Sequence, residues 1–347
     1  MIIKELYYDN LGIARAIIEG DSGIEYNTSI DRELMRAWCS CPYYIFHKMN
    51  CKHISHLINN LEYEKMKKKE DIMFLETGSP TINRLLNGGL PFGIVTAVFA
   101  EPSIGKSVFG YQCGLSNIKN TDKETLLIET EGLRVYDIKL FLYKFMKRWE
   151  LDKKTVDDKF KIKHTIGDPN LSSIQKLLQM FGYLVTFDIS NNGKYSVKFQ
   201  NCTPTLKDKD LENISLIIID SLTKPVKDSV GSETQNLPAR AQLTERLFGK
   251  LYHIAKIYDI GVLVFHHASY NPITPFGRDL GKPYGGDPIL YNSKYAIELI
   301  NAPRKLQNET GWGLETRRVM LLRAPGEQTT KEMLPIRLKK DWGYCEE

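Results

Sequence analysis

Residues 95–107 read VTAVFAEPSIGKS, a short apolar strand followed by a turn that ends in GKS at 105–107. The phosphate-binding loop pattern is G-x-x-x-x-G-K-[ST], and the stretch fits it except at the first position, where Ala100 replaces glycine. Such a loop directs backbone N–H groups and a helix N-terminus at phosphates. The stretch therefore predicts a nucleotide site on residues 100–108, although a lone GKS tripeptide is common in unrelated sequences.

The side chains of this loop have separate expected roles. Lys106 is expected to reach the β- and γ-phosphates, and Ser107 is expected to hold Mg²⁺. The motif requires a strand before the loop and a helix after it, and the sequence predicts both. The expected nucleotide contacts are Ala100, Glu101, Pro102, Ser103, Ile104, Gly105, Lys106, Ser107 and Val108.

Two later strands end in acidic residues that suit the same chemistry. The apolar run 216–219 is followed by Asp220, and a carboxylate in that position contacts Mg²⁺ or its waters. The run 125–128 is followed by Glu129 and Glu131, and a carboxylate there can orient an attacking water. Both glutamates satisfy the pattern, and both would also be ordinary as solvated turn residues.

From residue 74 onward the sequence alternates between apolar strands, Gly-rich turns and helical stretches. This alternation predicts an α/β fold with a central, mostly parallel sheet. Short continuous apolar runs are typical of strands that are buried on both faces. The predicted elements are strands at 95–99, 125–128, 216–219 and 262–265, a helix at 239–258, and a hairpin at 183–200 that turns at Asn191-Asn192-Gly193.

A cluster of possible metal ligands precedes this region. Residues 39–53 read CSCPYYIFHKMNCKH, which gives C-x-C, nine residues and then C-x-H. Three thiolates and one imidazole complete a tetrahedral structural zinc site with no open position. The predicted ligands are Cys39, Cys41, Cys51 and His53, with His47 and His56 as alternatives for the fourth. The competing interpretation is three free thiols and a surface histidine.

Composition limits the class of protein. The 347 residues are 42% apolar and 26% charged, which is ordinary for a globular chain. No run of 18 apolar residues exists, so we expect no membrane span. Six cysteines are too few for a disulfide scaffold and favour a reducing compartment. We therefore expect an intracellular protein that is associated with the nucleoid in the cytoplasm or, in a eukaryote, lies in the nucleus. The net charge of +5 permits nucleic-acid binding without demonstrating it.

Residues 10–60 resemble the SWIM zinc finger, whose pattern is C-x-C followed by C-x-H. SWIM modules are associated with DNA or protein binding, so the resemblance implies a docking module and no catalysis. The expected organisation is a finger at 1–62, a charged linker at 63–73, and a core at 74–347 that carries the 183–200 hairpin as an insertion.

Residues 77–343 resemble the ATPase core of the RecA/RadA recombinases. The matching motifs occur in family order: Thr77-Gly78-Ser79, LLNGGL at 85–90, Thr130-Glu131-Gly132, Asp220-Ser221-Leu222-Thr223, Asn236-Leu237-Pro238-Ala239-Arg240, Lys282-Pro283-Tyr284-Gly285-Gly286, and 318–325. The resemblance implies ATP and Mg²⁺ as cofactors, Asp220 as the Walker B carboxylate, and Glu131 as the catalytic glutamate.

The same resemblance implies two DNA-binding loops, which end near residues 236 and 286. Basic side chains in or beside the loops are expected to contact phosphates, and aromatic side chains are expected to stack on bases. The candidates are Lys224, Lys227, Arg240, Arg278 and Lys282 for phosphates, and Tyr270, Phe276 and Tyr284 for bases. Each of these residues would also be ordinary in a solvated loop.

Departures from the family pattern change the expected function. His267 occupies the sensor position that is usually glutamine, where we expect it to donate to the γ-phosphate beside the catalytic Lys106 and Glu131. The helical N-terminal domain is replaced by the finger, and Phe74-Leu75-Glu76-Thr77 does not supply the Phe-x-x-Ala polymerisation motif. These changes favour an accessory recombinase paralogue, a DNA-dependent ATPase in recombination and repair that forms homo- or hetero-oligomers.

Its expected partners are single-stranded or branched DNA and a recombinase-family protein, with no membrane. The main alternative is a non-hydrolysing ATP-binding scaffold that docks a recombinase through its finger. A KaiC-like signalling ATPase is the other alternative, and the match at 282–286 disfavours it.

Overall fold

The computed structural model describes residues 1–8, 14–31, 36–47, 51–57, 74–168, 170–231, 233–269, 282–283, 289, 293–325 and 333–345. The chain divides into two compact units, Met1–Ile72 and Met73–Glu347. The charged linker predicted at 63–73 lies outside the described residues. Within the described ranges, no helix has both the length and the apolar composition that crossing a bilayer requires.

The first unit is a four-stranded antiparallel sheet followed by two short helices. The strands pair in chain order, and their side chains alternate between the two faces of the sheet. Ala16, Ile18 and Ile30 are buried on one face, together with Leu57 of the second helix. The elements are β1 (Ile2–Tyr8), β2 (Ala14–Glu19), β3 (Glu25–Asp31), β4 (Arg36–Cys39), α1 (Pro42–His47) and α2 (52–57).

The second unit is built on one large sheet. The strands of this unit are β5 (Phe74–Leu75), β6 (Leu90–Pro91), β7 (Val95–Ala100), β8 (Glu124–Glu129), β9 (Phe160–His164), β10 (Tyr183–Ile189), β11 (Tyr195–Asn201), β12 (Ile214–Asp220), β13 (Gly261–Ser269), β14 (Lys282–Pro283), β15 (Tyr295–Asn301), β16 (Thr316–Arg323), β17 (Met333–Lys339) and β18 (Gly343–Cys345). Strands β5 and β6, and strands β10 and β11, form two separate two-stranded sheets. The order across the large sheet is β18-β17-β16-β15-β7-β13-β12-β8-β9. The strands from β15 to β9 are parallel, and β16, β17 and β18 continue the sheet in antiparallel fashion.

Helices cover both faces of this sheet. They are α3 (Pro80–Leu85), α4 (Lys106–Thr121), α5 (Val135–Phe145), α6 (Lys153–Lys159), α7 (Ser173–Met180), α8 (Asp208–Leu211), α9 (Thr223–Val230), α10 (Leu237–Tyr258) and α11 (Arg304–Thr310). Alternate residues of β7 show the two layers. Val98 lies in a core with Phe109 of α4, whereas Ala97 lies in a second core with Leu243 of α10.

The predicted α/β fold with a mostly parallel central sheet is confirmed. Each of the four predicted strands is present and extends by one or more residues beyond its predicted range. The helix predicted from residue 239 begins at Leu237, because a proline in the first turn is compatible with helix geometry. The predicted hairpin is confirmed as β10 and β11, which pair from Tyr183–Asn201 to Ile189–Tyr195.

Candidate nucleotide site and metal site

The loop between β7 and α4 is held in shape by the C-terminal strands. Gly105 has a φ of 106°, in the left-handed region that favours glycine. A Cβ atom there would lie 2.8 Å from Leu338 Cδ2, so the position also lacks room for a side chain. The Tyr344 hydroxyl donates to the Ile104 carbonyl at 2.7 Å. Strands β17 and β18 therefore support the loop from the side.

The replacement of the first glycine by Ala100 has a simple structural explanation. Ala100 is still part of β7, where it is paired with His267 of β13 and Leu299 of β15. Its side chain is fully buried in the core beside α4. An extended backbone accepts alanine without strain, so the loop does not need glycine at this position.

The predicted magnesium ligands are adjacent. Asp220 ends β12, is 4% exposed, and is hydrogen-bonded by the Ser107 side chain at the start of α4. Burial raises the pKa of Asp220 to about 6. A carboxylate and a hydroxyl are hard oxygen donors of the kind that Mg²⁺ uses. The two side chains therefore fit a divalent cation, which would favour the ionised carboxylate.

His267 connects the loop lysine to the predicted catalytic glutamate. Lys106 Nζ lies 3.3 Å from His267 Nδ1, and His267 Nε2 lies 3.1 Å from Glu131 Oε1. A lysine ammonium only donates, so Nδ1 accepts and Nε2 carries the proton that is donated to Glu131. Ser221 Oγ donates to the same carboxylate oxygen at 2.5 Å. The bond from His267 lowers the pKa of Glu131 to about 2, so this carboxylate is ionised at neutral pH.

Glu129 and Glu131, which the strand pattern alone does not distinguish, face different ways. Glu129 is 1% exposed and accepts hydrogen bonds from the backbone N–H groups of Glu131 and Gly132. Glu131 is instead beside His267 and Ser221, on the side of Lys106. This geometry favours Glu131 as the residue that meets a nucleotide.

Local motifs missed several residues that shape the site. Ser221, Tyr344 and the pair of Glu129 with His164 act through contacts between residues far apart in sequence. Thr223 at the start of α9 accepts from the His267 backbone N–H at 2.8 Å and so holds the sensor strand. For Ser221 and Thr223 a signal existed, because both belong to the motif at 220–223 that contains the predicted Walker B aspartate.

The candidates for DNA contacts have different surroundings. Lys224 and Lys227 are exposed on α9, and Lys224 is paired with Asp228 at 2.5 Å. The prediction for Arg240 needs correction. Its side chain is 3% exposed and donates to the Glu233 carbonyl at 2.9 Å, so it holds the residues before α10 and does not face solvent.

The remaining DNA candidates cannot be placed by contacts. Tyr270, Phe276, Arg278 and Tyr284 lie outside the described residues. Only the backbone of Lys282 is described; it lies in β14 and pairs with Ser269 of β13.

The four predicted zinc ligands lie together in the first unit. The sulfur atoms of Cys39, Cys41 and Cys51 and a ring nitrogen of His53 all lie within 4.8 Å of one another, and all four side chains are buried. His53 Nδ1 is 3.8 Å from Cys39 Sγ and 3.9 Å from Cys51 Sγ. Tetrahedral Zn²⁺ with bonds of about 2.3 Å to sulfur and 2.0–2.1 Å to nitrogen separates such atoms by roughly 3.6 Å.

The surroundings of this cluster also suit a metal. The backbone N–H groups of Cys41 and Tyr44 point at Cys39 Sγ and Cys41 Sγ, at 3.5 and 3.4 Å. Burial lowers the pKa of His53, which keeps its ring neutral as a metal ligand must be. His56 is not in the cluster, and the side chain of His47 lies outside the described residues. The residues present fit one zinc ion.

Comparison with known proteins covers both units. Residues 25–60 match the SWIM zinc finger family. The DNA repair and recombination protein RadB of Methanococcoides burtonii is 25% identical over 251 residues, which are 72% of this chain and 90% of that protein. RadB of Archaeoglobus fulgidus is 23% identical over 237 residues, 67% of this chain and 87% of that protein.

Two further comparisons concern the second unit's fold and a longer relative. RadA of Cenarchaeum symbiosum is 27% identical over 240 residues, which are 67% of this chain and 52% of that protein. The crystal structure of the RadB recombinase matches with a TM-score of 0.53 and 19% identity; the match covers 78% of this chain and 99% of the RadB chain. Both resemblances seen in the sequence are confirmed: residues 25–60 match the SWIM zinc finger, and the chain is similar to RadB and RadA in sequence and to RadB in its RecA-like fold.

Proposed function

We propose that this protein is a DNA-binding ATPase of the RecA/RadA class that acts in homologous recombination and DNA repair as an accessory to a recombinase. The observation that carries the proposal is the line from Lys106 through His267 to Glu131, beside the adjacent Ser107 and Asp220. The similarity to RadA and RadB, which are named DNA repair and recombination proteins, supports the same role.

The geometry suggests what each residue does. Lys106 would hold the β- and γ-phosphates at the N-terminus of α4, and Ser107 and Asp220 would hold Mg²⁺, which neutralises developing charge when bound. The ionised Glu131 would accept a hydrogen bond from the attacking water and orient it. His267 touches both Lys106 and Glu131, so it is placed to sense a γ-phosphate that arrives at the lysine.

The finger is proposed as the docking part of the molecule. Its described residues form a small sheet and a buried Cys3His cluster, and none of the nucleotide-site residues comes from it. Because Phe74-Leu75-Glu76-Thr77, at the end of the linker, does not supply the Phe-x-x-Ala motif, we infer that the finger docks DNA or another recombinase-family chain. Such work on DNA would place the protein at the nucleoid or in the nucleus.

ATP turnover of the full chain with and without single-stranded DNA tests the proposal. Turnover that rises with DNA and disappears in Glu131→Gln is the expected result. Binding of ATP without turnover would instead favour the scaffold function, which the histidine at the usual glutamine position, His267, also supports. Loss of DNA binding as salt rises is also expected, because phosphate contacts release counterions.

A further inference from the structure

A buried glutamate, Glu129, lies beside residues 130–132, the segment that carries the proposed catalytic Glu131. Glu129 is the last residue of β8 and is 1% exposed. Its Oε1 accepts from the N–H of Glu131 at 2.7 Å and from the N–H of Gly132 at 2.9 Å. Its Oε2 lies 3.0 Å from the same Gly132 nitrogen. One carboxylate thus accepts hydrogen bonds from the backbone N–H groups of both Glu131 and Gly132. Hydrogen bonds to an ionised acceptor are strong.

A histidine from the neighbouring strand holds that carboxylate. His164 ends β9 and is paired in register with Glu129 of β8. Its Nδ1 lies 3.0 Å from Glu129 Oε2, and because a carboxylate only accepts, Nδ1 carries the proton. The other ring nitrogen, Nε2, is buried and has no hydrogen-bond partner within the described ranges. The contact with Glu129 therefore sets the orientation of the ring.

The preceding residue of the loop is anchored on its other side. Thr130 is fully buried, and its backbone N–H donates to the Asp220 carbonyl at 2.9 Å. Its hydroxyl donates to the Ser221 carbonyl. The backbone around Glu131 is therefore fixed from β8 and β9 on one side and from the end of β12 on the other.

We infer that Glu129, oriented by His164, is a positioning residue for Glu131: it fixes the backbone of residues 131–132 so that the Glu131 carboxylate stays beside Ser221 and His267. The inference rests on the proposed ATP hydrolysis. Among the described residues, neither Glu129 nor His164 forms a side-chain hydrogen bond or ion pair with the 100–108 loop. The pair therefore acts on the orientation of the attacking water. Nucleotide binding is independent of it.

Substitutions separate this role from a purely structural one. Glu129→Gln keeps the shape but removes the charge that both N–H groups share, and we expect kcat to fall roughly ten- to hundredfold while ATP affinity changes less than about twofold. His164→Phe removes the N–H that donates to Glu129 and should also lower kcat. His164→Asn retains a donor at the Nδ1 position and should restore most of the activity.

The matched control is Glu124→Gln, at the opposite end of β8. Glu124 pairs with Lys161 at 3.5 Å, so this variant also removes a glutamate contact between β8 and β9, but far from the loop. It should leave kcat and ATP affinity as in the wild type. If Glu129→Gln lowers kcat no more than this control, or weakens ATP binding in proportion to kcat, the inference is wrong.

Amide hydrogen exchange gives a readout that does not depend on hydrolysis. We expect the amides of Glu131 and Gly132 to exchange at least tenfold faster in Glu129→Gln and in His164→Phe, with the amides of α4 unchanged. Wild-type rates at these two amides would overturn the inference, even in a chain that turns over ATP. Should Glu129→Gln fail to fold, the comparison of His164→Phe with His164→Asn decides. A wild type without turnover would refute the proposed function, and the exchange data would still test the positioning.

Discussion

The candidate metal site and the candidate nucleotide site of this chain are assembled in opposite ways. The four zinc candidates lie within 15 consecutive residues, 39–53, in a unit whose described apolar core includes only a few side chains. The candidate nucleotide site gathers residues from distant parts of the large sheet: Lys106 at the start of α4, Glu131 just after β8, Asp220 at the end of β12 and His267 near the end of β13. A local site in a small unit depends on its ligand for stability, whereas a site on a packed sheet is preformed by the core.

Removal of zinc is expected to have the largest effect, because it should unfold the N-terminal unit and leave the core intact. Cys51→Ser should lose the metal and unfold the finger, because structural zinc contributes an apparent free energy of roughly 10 kcal/mol or more to such domains. ATP affinity should be unchanged. Metal content and far-UV circular dichroism measure the loss. Cys202→Ser, on the β11 side of the core and outside the cluster, is the control that should keep one zinc per chain.

A folded N-terminal unit in metal-free protein would contradict this prediction. It would mean that the small sheet and Leu57 provide enough apolar burial without the cluster.

Loss of the catalytic carboxylate is the next largest effect. Glu131→Gln should keep ATP binding and lower turnover by about 10²- to 10⁴-fold, because a neutral amide is a weaker hydrogen-bond acceptor than the ionised carboxylate and orients the attacking water less well. Steady-state phosphate release with DNA present measures it. Turnover equal to that of the wild type would show that another acid acts or that no hydrolysis occurs.

Loss of the loop lysine should affect binding instead. Lys106→Ala should weaken ATP binding by roughly a hundredfold, because a hydrogen bond to a charged group contributes about 1.5–3 kcal/mol. Calorimetric titration measures the affinity. Lys119→Ala, on the exposed side of the same helix, removes only a surface pair with Glu150 and should bind normally. Equal affinities for the two variants would refute the assignment of Lys106.

A smaller effect concerns acid stability of the core. The folded pKa of Glu131, about 2, lies below the ordinary value of 4.5, so its ionisation stabilises the folded state above pH 4.5 and this contribution is lost as pH falls toward 2. The side chain is one-third exposed, so we discount the contribution to about 1–2 kcal/mol. Denaturant unfolding of wild type and Glu131→Gln should show a stability gap that shrinks between pH 6 and 3.5. A gap that is constant or grows would contradict the prediction.

The parts that the sequence predicts well are those with local signals. Buried parallel strands such as β7 and β12 are continuous apolar runs, and the finger has its ligands at fixed spacing. The edge strand β9 is not among the predicted strands, because Lys161 and Lys163 alternate with Phe160 and Ile162 and it therefore lacks the continuous apolar run of a strand that is buried on both faces. The helix position of Arg240 directs its side chain inward, which a motif beside a loop does not reveal.

The parts of the candidate site that the sequence does not predict depend on contacts between residues that are far apart in the chain. Tyr344 supports the phosphate loop from 240 positions away, and Glu129 meets His164 across two strands. Neither pair leaves a pattern in one sequence, because each partner is ordinary in its own segment.

In the proposed division of labour, the core binds the nucleotide and the finger docks the partner. Comparison of the full chain with a chain that begins near Asp71 tests this division, by ATP affinity, melting temperature and affinity for single-stranded DNA or a recombinase. We expect the shortened chain to fold and bind ATP normally but to lose most of its DNA or partner affinity. A shortened chain that binds DNA and recombinase as tightly as the full chain would contradict it, and an aggregating or less stable core would show that the finger only covers apolar surface.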